Sequence, residues 1–293
     1  MYGVEPIFGN CFFKSVAHEH TNKLLFLRKV IQNNYPRHLT MPQHASAISW
    51  LEINEPLPAP ETAIKSDSGL NGLVAAGGGL SVERLVEAYS HGIFPWFSAD
   101  QPVLWWSPDP RMVLHVDSFK LHRSLRKNLA TFLATPDHVI KFDSAFDQVI
   151  RHCALTKRSD QNGTWILDEM ISAYQDLHVH GFAHSVETWV NDRLVGGLYC
   201  VSIGHCVFGE SMFSLQSNAS KIALAALVAF AKSQGILWID CQQNTKHLAS
   251  MGAREISRSQ FLKDVAQERF KSPVDWQYRS IYWSELMQIR SLD

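Results

Sequence analysis

The segment Ile239-Asp240-Cys241-Gln242, followed five residues later by His247, combines side chains that can do two kinds of chemistry. Cys241 could be a thiol nucleophile supported by His247 and Asp240. Alternatively, Asp240 and Gln242 could align an attacking amine through hydrogen bonds. A strand end with ordinary capping is the third interpretation. Side chains alternate along a strand, so Asp240 and Gln242 share one face while Cys241 faces the core, where cysteine is often only a small hydrophobe.

A second candidate is Glu210, within the sequence Phe208-Gly209-Glu210-Ser211-Met212-Phe213-Ser214. We expect the chain to cross from a strand to a helix here, with Glu210 at the mouth of a sheet. A carboxylate in that position could hold a cationic group of a substrate. A charge at a helix start, or an ion pair with Lys221, explains Glu210 equally well.

Aromatic side chains in or beside predicted loops, and near helix ends, form a third group. Such rings can stack on an adenine or line an apolar pocket. Most tryptophans fill the protein core, so we expect about two of the four tryptophans in this group to reach a site. The members are Trp96, Trp105, Trp106, Trp165, Tyr89 and Tyr174.

Positive charge is concentrated between Phe119 and Arg158, where eight Lys/Arg residues face three Asp residues. A patch of this kind suits a phosphate backbone, although a solvated helix face is the common explanation of a charge run. The asymmetry favours RNA slightly. The residues on the first helix of this stretch are Lys120, Arg123, Arg126 and Lys127.

Elements that would position these side chains alternate from about residue 111 onward, which indicates an α+β or α/β domain. Asn191-Asp192-Arg193 is expected to form a hairpin turn. The predicted strands are Met112–His115, Val139–Phe142, Ala183–Val190, Leu194–Ile203 and Ile236–Cys241, the last of them central. The predicted helices are His122–Leu133, Ser144–Leu155, Leu167–His180, Asn218–Gln234 and Arg258–Arg269.

The region before residue 111 is organised differently. Residues 1–47 predict an extension that is disordered or not translated, with Met41 as a possible start. Residues 48–110 predict a small aromatic-rich domain, and residues 111–293 the catalytic domain. Ser81 is expected to cap a helix, Val82–His91, that Gly92 ends. The aromatic and proline-rich stretches around residues 93–97 and 104–111 predict irregular structure.

Composition excludes several classes of protein. The 293 residues are 46% hydrophobic and 19% charged with a net charge of −1, so the chain can bury a core and has no overall basic signature. Five cysteines without a CxxC pair favour a reducing compartment, the cytoplasm. The longest apolar run, Ile222–Ala231, is too short to span a bilayer. No sequence motif indicates ATP or zinc, and we expect neither a cofactor nor a metal.

Eight short motifs in a fixed order resemble those of the leucyl/phenylalanyl-tRNA–protein transferase family, over about residues 48 to 275. They are Gly92-Ile93-Phe94-Pro95-Trp96-Phe97, Trp105-Trp106-Ser107-Pro108-Asp109-Pro110-Arg111, Gly163-Thr164-Trp165-Ile166, His184-Ser185-Val186-Glu187, Leu194-Val195-Gly196-Gly197-Leu198-Tyr199, Gly209-Glu210-Ser211-Met212-Phe213-Ser214, Asn218-Ala219-Ser220-Lys221 and Ile239-Asp240-Cys241-Gln242.

The resemblance implies an α+β fold, with a small N-terminal domain ahead of an acetyltransferase-like (GNAT-type) mixed-sheet domain. It implies transfer of Leu or Phe, and less readily Met, from aminoacyl-tRNA to proteins that begin with Arg or Lys, which marks them for N-degron proteolysis. A monomer without membrane contact is expected. The implied catalytic pair is Asp240 and Gln242, the implied substrate-binding residues are Glu210, Ser211, Trp96, Trp165, Tyr89 and Tyr174, and the implied tRNA-binding residues are Arg123, Arg126 and Lys127.

The implied reaction is aminolysis of an activated ester. An α-amine has a pKa of roughly 7.7–8.0 and is partly neutral near pH 7, so positioning can supply much of the rate. Gln242 would accept a hydrogen bond from the amine, Asp240 would orient it electrostatically, and Glu210 would favour a cationic acceptor residue. Two alternatives stay open: an acyl-CoA-dependent acetyltransferase, which the glycine-free loop at residues 214–220 opposes, and a non-catalytic tRNA-binding module.

Overall fold

The computed structural model describes residues 48–65, 70–99, 101–155 and 166–287. Predictions about residues 1–47 and about Trp165 lie outside these ranges. The described chain is a mixed α+β protein, as predicted, and it contains two sheets. Within the same ranges, no helix combines the length and the hydropathy needed to cross a bilayer.

The smaller sheet has the strand order β1-β2-β4-β3, with β1 parallel to β2 and the other pairs antiparallel. The prediction of irregular structure for the aromatic segments was wrong, because they contain two of these strands. Aromatic side chains suit a sheet, and the surrounding prolines had hidden that preference. The strands are β1 (Ser49–Leu51), β2 (Leu73–Gly77), β3 (Phe94–Pro95) and β4 (Leu104–Trp106).

The larger sheet has seven strands in the order β11-β5-β10-β9-β8-β7-β6. Its central pair, β9 and β10, is parallel, and the neighbouring pairs are antiparallel. The strands are β5 (Arg111–His115), β6 (His138–Phe142), β7 (Ala183–Val190), β8 (Arg193–Ile203), β9 (Cys206–Ser214), β10 (Trp238–Gln242) and β11 (Arg254–Ile256).

Eight α-helices lie within the described ranges, and the bounds of the longer ones match the predicted helix ranges to within one or two residues at either end. The Ser81 side chain caps α1 by accepting a hydrogen bond from the Arg84 N–H, as predicted. The helices are α1 (Val82–Ser90), α2 (Arg123–Ala134), α3 (Phe146–Leu155), α4 (Asp168–Val179), α5 (Ala219–Ser233), α6 (Lys246–Ser250), α7 (Arg258–Glu268) and α8 (Ser284–Met287).

The larger sheet separates two apolar cores. One core contains side chains of α1, α3, α4, α7 and the smaller sheet, packed on one face of the larger sheet. The other core contains α2, α5 and the turn Ser280–Trp283, packed on the opposite face. The first core includes residues from both sheets, so it does not separate the chain into two units at residue 110. The predicted division at that residue stays a prediction.

Helix α5 is buried on nearly all sides, which explains why its apolar run has no polar stripe. Its first turn crosses the sheet at Gly196, where an added Cβ would lie 2.5 Å from the Ala219 Cβ. Asn218, where the predicted helix begins, lies at the N-cap position of α5. Asn218 adopts a left-handed backbone with φ of 66° and its side chain makes no capping hydrogen bond.

Strand β9 was not predicted. We expected a crossing from strand to helix near Glu210, but Glu210 lies inside β9 with β8 on one side and β10 on the other. Gly209 and Ser211 have weak strand preferences, and pairing on both edges overrides them. Glu210 therefore faces the interior instead of the mouth of the sheet.

Candidate active site

Side chains from three elements meet at Glu210, in what we call the acid–tyrosine cluster (Tyr89 of α1, Tyr174 of α4 and Glu210 of β9). The Tyr89 hydroxyl lies 2.7 Å from Glu210 Oε1, and the Tyr174 hydroxyl lies 3.2 Å from Glu210 Oε2. The two hydroxyl oxygens are 2.5 Å apart. All three side chains are buried. The structure thus brings together three of the substrate-binding residues implied by the sequence, from positions up to 121 residues apart.

A β-bulge aims Glu210 into this cluster. Tyr199 and Cys200 are consecutive in β8, yet they pair with Ser211 and Gly209, so Glu210 is the extra residue of β9. Bulges often redirect side chains beside active sites. The neighbouring Ser211 is also buried, and its hydroxyl has no hydrogen-bond partner within the described residues.

Gln242 joins the cluster from the end of β10. Its amide nitrogen donates to Glu210 Oε1 at 3.0 Å and to the Gly209 carbonyl at 3.2 Å. The Gly209 carbonyl can only accept, which assigns the nitrogen of the amide to that side. No hydrogen bond within the described part of the chain engages the amide oxygen of Gln242. This oxygen is a fixed acceptor that a substrate N–H could use.

Asp240 holds Gln242 in place. Its Oδ1 accepts the Gln242 backbone N–H at 2.9 Å, and Gln242 has a left-handed backbone with φ of 60°. Such a conformation is costly for a residue with a side chain, so it needs support of this kind. Asp240 is fully buried and lies on the cluster side of the sheet, as the predicted alternation requires.

Arg111 was not predicted as a site residue, yet it contacts Asp240 directly. Its Nε and Nη2 donate to the two oxygens of Asp240 at 2.8 and 2.6 Å, and both side chains are fully buried. The guanidinium lies between the rings of Phe94 and Phe261. A buried carboxylate needs a partner of this kind, so the buried Asp240 was itself a signal that an arginine should lie beside it.

Burial shifts the proton affinity of the cluster. It raises the pKa of Glu210 to about 8, and the nearby charge of Asp240 also raises this pKa. Hydrogen bonds from Tyr89 and Tyr174 lower the pKa but do not cancel the effect of burial. Burial also raises the pKa of Tyr89 and of Tyr174 well above the usual value. No ion pair joins Glu210 to Lys221, both of which are described, so that structural alternative is wrong.

The thiol interpretation of Cys241 is also wrong. Cys241 is buried in the core that contains α2 and α5 side chains, on the face opposite Asp240, as predicted. Its Sγ donates to the Ile239 carbonyl at 3.6 Å, and burial raises the pKa of the thiol well above its usual value. A buried, protonated thiol is not an activated nucleophile.

The other predicted site residues lie outside the cluster. Trp96 is half-buried and its ring meets that of Trp106 edge to face, while Trp105 and Trp106 are buried core residues of β4. The basic residues lie on the exposed side of α2, whose opposite side is buried. These basic residues are Arg123, Arg126 and Lys127.

Comparison with known proteins gives one consistent result. A family model described as leucyl/phenylalanyl-tRNA protein transferase matches residues 113–266, and the model of that family's N-terminal domain matches residues 78–109. A leucyl/phenylalanyl-tRNA–protein transferase of Polaromonas is 57% identical over 240 residues, 82% of this chain and 94% of that protein. One of Albidiferax ferrireducens is 53% identical over 84% of this chain and 96% of its own length.

Among solved structures, a GCN5-related N-acetyltransferase from Kribbella flavida overlaps 58% of this chain and 58% of its own, at 11% identity and a TM-score of 0.28. A score this low supports no conclusion about fold or function. The two matching family models describe a single class of enzyme, the aminoacyl-tRNA–protein transferases. The chain belongs to the leucyl/phenylalanyl-tRNA protein transferase family.

Proposed function

We propose that this chain transfers leucine or phenylalanine, and less readily methionine, from aminoacyl-tRNA to the α-amine of proteins that begin with Arg or Lys. The products would enter N-degron proteolysis. Family membership supports the donor and the acceptor class. The observation that carries the chemistry is the Gln242 amide, whose nitrogen is held by Glu210 and Gly209 while its oxygen stays available.

In the proposed reaction, Gln242 Oε1 accepts a hydrogen bond from the attacking amine and directs its lone pair at the ester carbonyl. A C–N bond forms, the bond to the ribose oxygen breaks, and the amine gives up the proton that the leaving oxygen gains. Because the ester is already activated, orientation of this kind can supply much of the rate. Asp240 and Arg111 act through Gln242, by fixing its backbone.

The remaining site residues are proposed in supporting roles. Tyr89, Tyr174, Ser211, Trp96 and Trp165 would bind the aminoacyl-adenosine end and the acceptor. A pocket that distinguishes donors by one methylene gains only about 1–3 kcal/mol, so tolerance among Leu, Phe and Met is expected. Arg123, Arg126 and Lys127 would contact tRNA phosphates.

We also propose that the protein works as a monomer in the cytoplasm, where charged tRNA is available. The thiols of Cys200, Cys206 and Cys241 are buried and form no disulfide, which supports a reducing compartment. Size-exclusion chromatography with light scattering is expected to give the 33.2 kDa of one chain. A dimer mass would contradict the proposal.

The direct test incubates the full chain with labelled Leu-tRNA and peptides that begin with Arg, Lys or Ala. Transfer to the first two peptides and not to the third is expected. Gln242→Ala should reduce kcat by roughly 10²-fold or more, the scale expected when a positioning hydrogen bond is removed. Gln243→Ala is the matched control, because this neighbouring side chain is outside the cluster and should leave the rate unchanged. A wild-type kcat in Gln242→Ala would contradict the proposed role of Gln242 in orienting the amine.

A further inference from the structure

The acid–tyrosine cluster has more hydrogen-bonding contacts than its hydroxyls can supply with protons. Three contacts join its members: Tyr89 to Glu210, Tyr174 to Glu210, and Tyr89 to Tyr174. Each tyrosine carries one hydroxyl proton, and an ionised carboxylate carries none. Two protons cannot fill three contacts. The 2.5 Å distance between the hydroxyl oxygens requires a proton, since two bare oxygens would repel each other there.

With an ionised Glu210, every arrangement of the two hydroxyl protons leaves one of the three contacts without a proton between its oxygens. If Tyr89 donates to Tyr174 and Tyr174 to Glu210 Oε2, the contact without a proton is the 2.7 Å one between Tyr89 and Glu210 Oε1, where two oxygens repel each other. In the reverse arrangement, Tyr174 donates to Tyr89 and Tyr89 to Glu210 Oε1, the oxygen that also receives the Gln242 amide N–H. Glu210 Oε2 would then be a buried anionic oxygen with no hydrogen bond, an expensive state. A third proton on Oε2 completes a closed circuit from Glu210 to Tyr174, from Tyr174 to Tyr89, and from Tyr89 back to Glu210.

We propose that Glu210 is a neutral carboxylic acid in the resting protein, and that it loses its proton to solvent when the cationic first residue of an acceptor arrives. The first part rests on the geometry of the cluster. The second part rests also on the proposed function, since it assumes an Arg or Lys acceptor at Gln242. The balanced step is a carboxylic acid plus a bound cation giving an ion pair and one proton released.

The surroundings of Glu210 support a neutral resting state. The elements packed against it carry the hydroxyls of Tyr89 and Tyr174 from α1 and α4, and Cys200 from β8 with a thiol whose pKa is raised well above the usual value by burial. The one nearby cation, among the described residues, is Arg111, which is bound on two nitrogens by Asp240. Glu210 therefore has no cation of its own until an acceptor supplies one, and a nearby positive charge favours ionisation.

Ionisation would link acceptor affinity to pH. If the cation is bound tightly only by the ionised acid, affinity for an Arg-starting peptide falls by up to about tenfold per pH unit as the pH drops below that at which Glu210 titrates. The neutral acid also gives selectivity, because an acceptor with a neutral first side chain brings nothing that drives the proton off.

Infrared difference spectroscopy on the full chain tests the proposal directly. Ligand-free wild type minus Glu210→Gln at pH 7 should show the C=O band of a protonated carboxylic acid. The band should disappear when the pH is raised well above the pKa of about 8. It should also weaken when the peptide Arg-Ala-Ala is added at a concentration that saturates transfer, but not when Ala-Ala-Ala is added.

Absence of the band at pH 7 would overturn the neutral resting state, and a band that survives saturating Arg-Ala-Ala would overturn the coupling. Should Glu210→Gln fail to fold, the spectrum of wild type at pH 7 minus that of wild type well above pH 8 replaces it and should show the same carboxylic acid band. Leucine transfer measured on the same preparation tests the proposed function separately.

Discussion

At the residue scale, the protonation of Glu210 has a consequence for stability. The folded pKa of about 8 is raised above the ordinary carboxyl value of 4.5. Between these two values the unfolded chain is ionised and the folded protein is protonated, so stability falls as the pH rises through this window and levels off above about 8.

Glu210→Gln removes this dependence, since glutamine is a neutral isostere. We expect the free energy of unfolding of the variant, relative to wild type, to rise by about 1.4 kcal/mol per pH unit between about pH 5 and 8. Urea melts over that range measure it. Glu169→Gln, an exposed carboxylate on the same helix as Tyr174, controls for the change of charge. Parallel stability curves for wild type and Glu210→Gln would contradict the prediction.

The positions of Asp240, Gln242 and Cys241 relative to the sheet could be predicted from alternation along one strand, which is a local property. The hydrogen bonds of Glu210 could not, because Tyr89 and Tyr174 reach it only through tertiary packing. Arg111 was missed for a related reason: an arginine beside prolines looks exposed in the sequence, and only the pairing of β5 with β10 shows that it is buried.

At the element scale, the Arg111–Asp240 pair links β5 to β10 and holds the end of β10 in shape. Arg111→Lys keeps the charge but loses the bidentate pair of hydrogen bonds to Asp240. We expect a fall in kcat of roughly tenfold or more with little change in the KM for Leu-tRNA, because Gln242 loses its fixed orientation. Arg254→Lys on the neighbouring β11 is the control. An unchanged kcat in Arg111→Lys would show that Asp240 needs no such support.

The crossing of α5 over the larger sheet depends on Gly196. An added methyl group would lie 2.5 Å from the Ala219 Cβ and 3.0 Å from the Ser220 N, so the helix would have to move. Gly196→Ala should lower the free energy of unfolding by about 1–3 kcal/mol, the usual cost of overpacking. Gly79→Ala is the matched control, because no atom lies within 4 Å of its added Cβ. Equal thermal melts for the two variants would contradict this view of the crossing.

Helix periodicity predicted the helices well because each buries one stripe or, in α5, nearly its whole surface. The strand with the bulge at Glu210 escaped prediction because Gly209-Glu210-Ser211 breaks the alternation that identifies a strand. Strand β9, which carries Glu210, was therefore the hardest element to predict. The bulge that directs Glu210 into the cluster also breaks the alternation of side chains that identifies a strand.

At the scale of the whole molecule, the acid–tyrosine cluster draws on both regions of the chain that the sequence separated at residue 110. Tyr89 lies before that boundary, and Tyr174 and Glu210 lie after it. Arg258 adds a further link, through hydrogen bonds to Ser107 and Asp109. Composition and periodicity predict the two regions but carry no information on which side chains of one contact the other.

The net charge of −1 leaves no general attraction for RNA, so tRNA binding should depend on the exposed basic side of α2. Replacing Arg123, Arg126 and Lys127 together by Ala should raise the KM for Leu-tRNA and leave kcat at saturation unchanged, because the cluster is untouched. For every phosphate that the variant no longer neutralises, the slope of log affinity against log salt should become shallower by about 0.7–0.9.

A second triple variant, Lys263, Lys271 and Arg279 to Ala, removes the same charge from exposed positions elsewhere and distinguishes a local interface from a global field. If α2 is the interface, only the first triple variant changes the salt slope, because screened charges farther away than about 10 Å contribute little at about 0.1 M salt. An equal change in both variants would mean that tRNA responds to the charge of the whole molecule and that α2 has no special role.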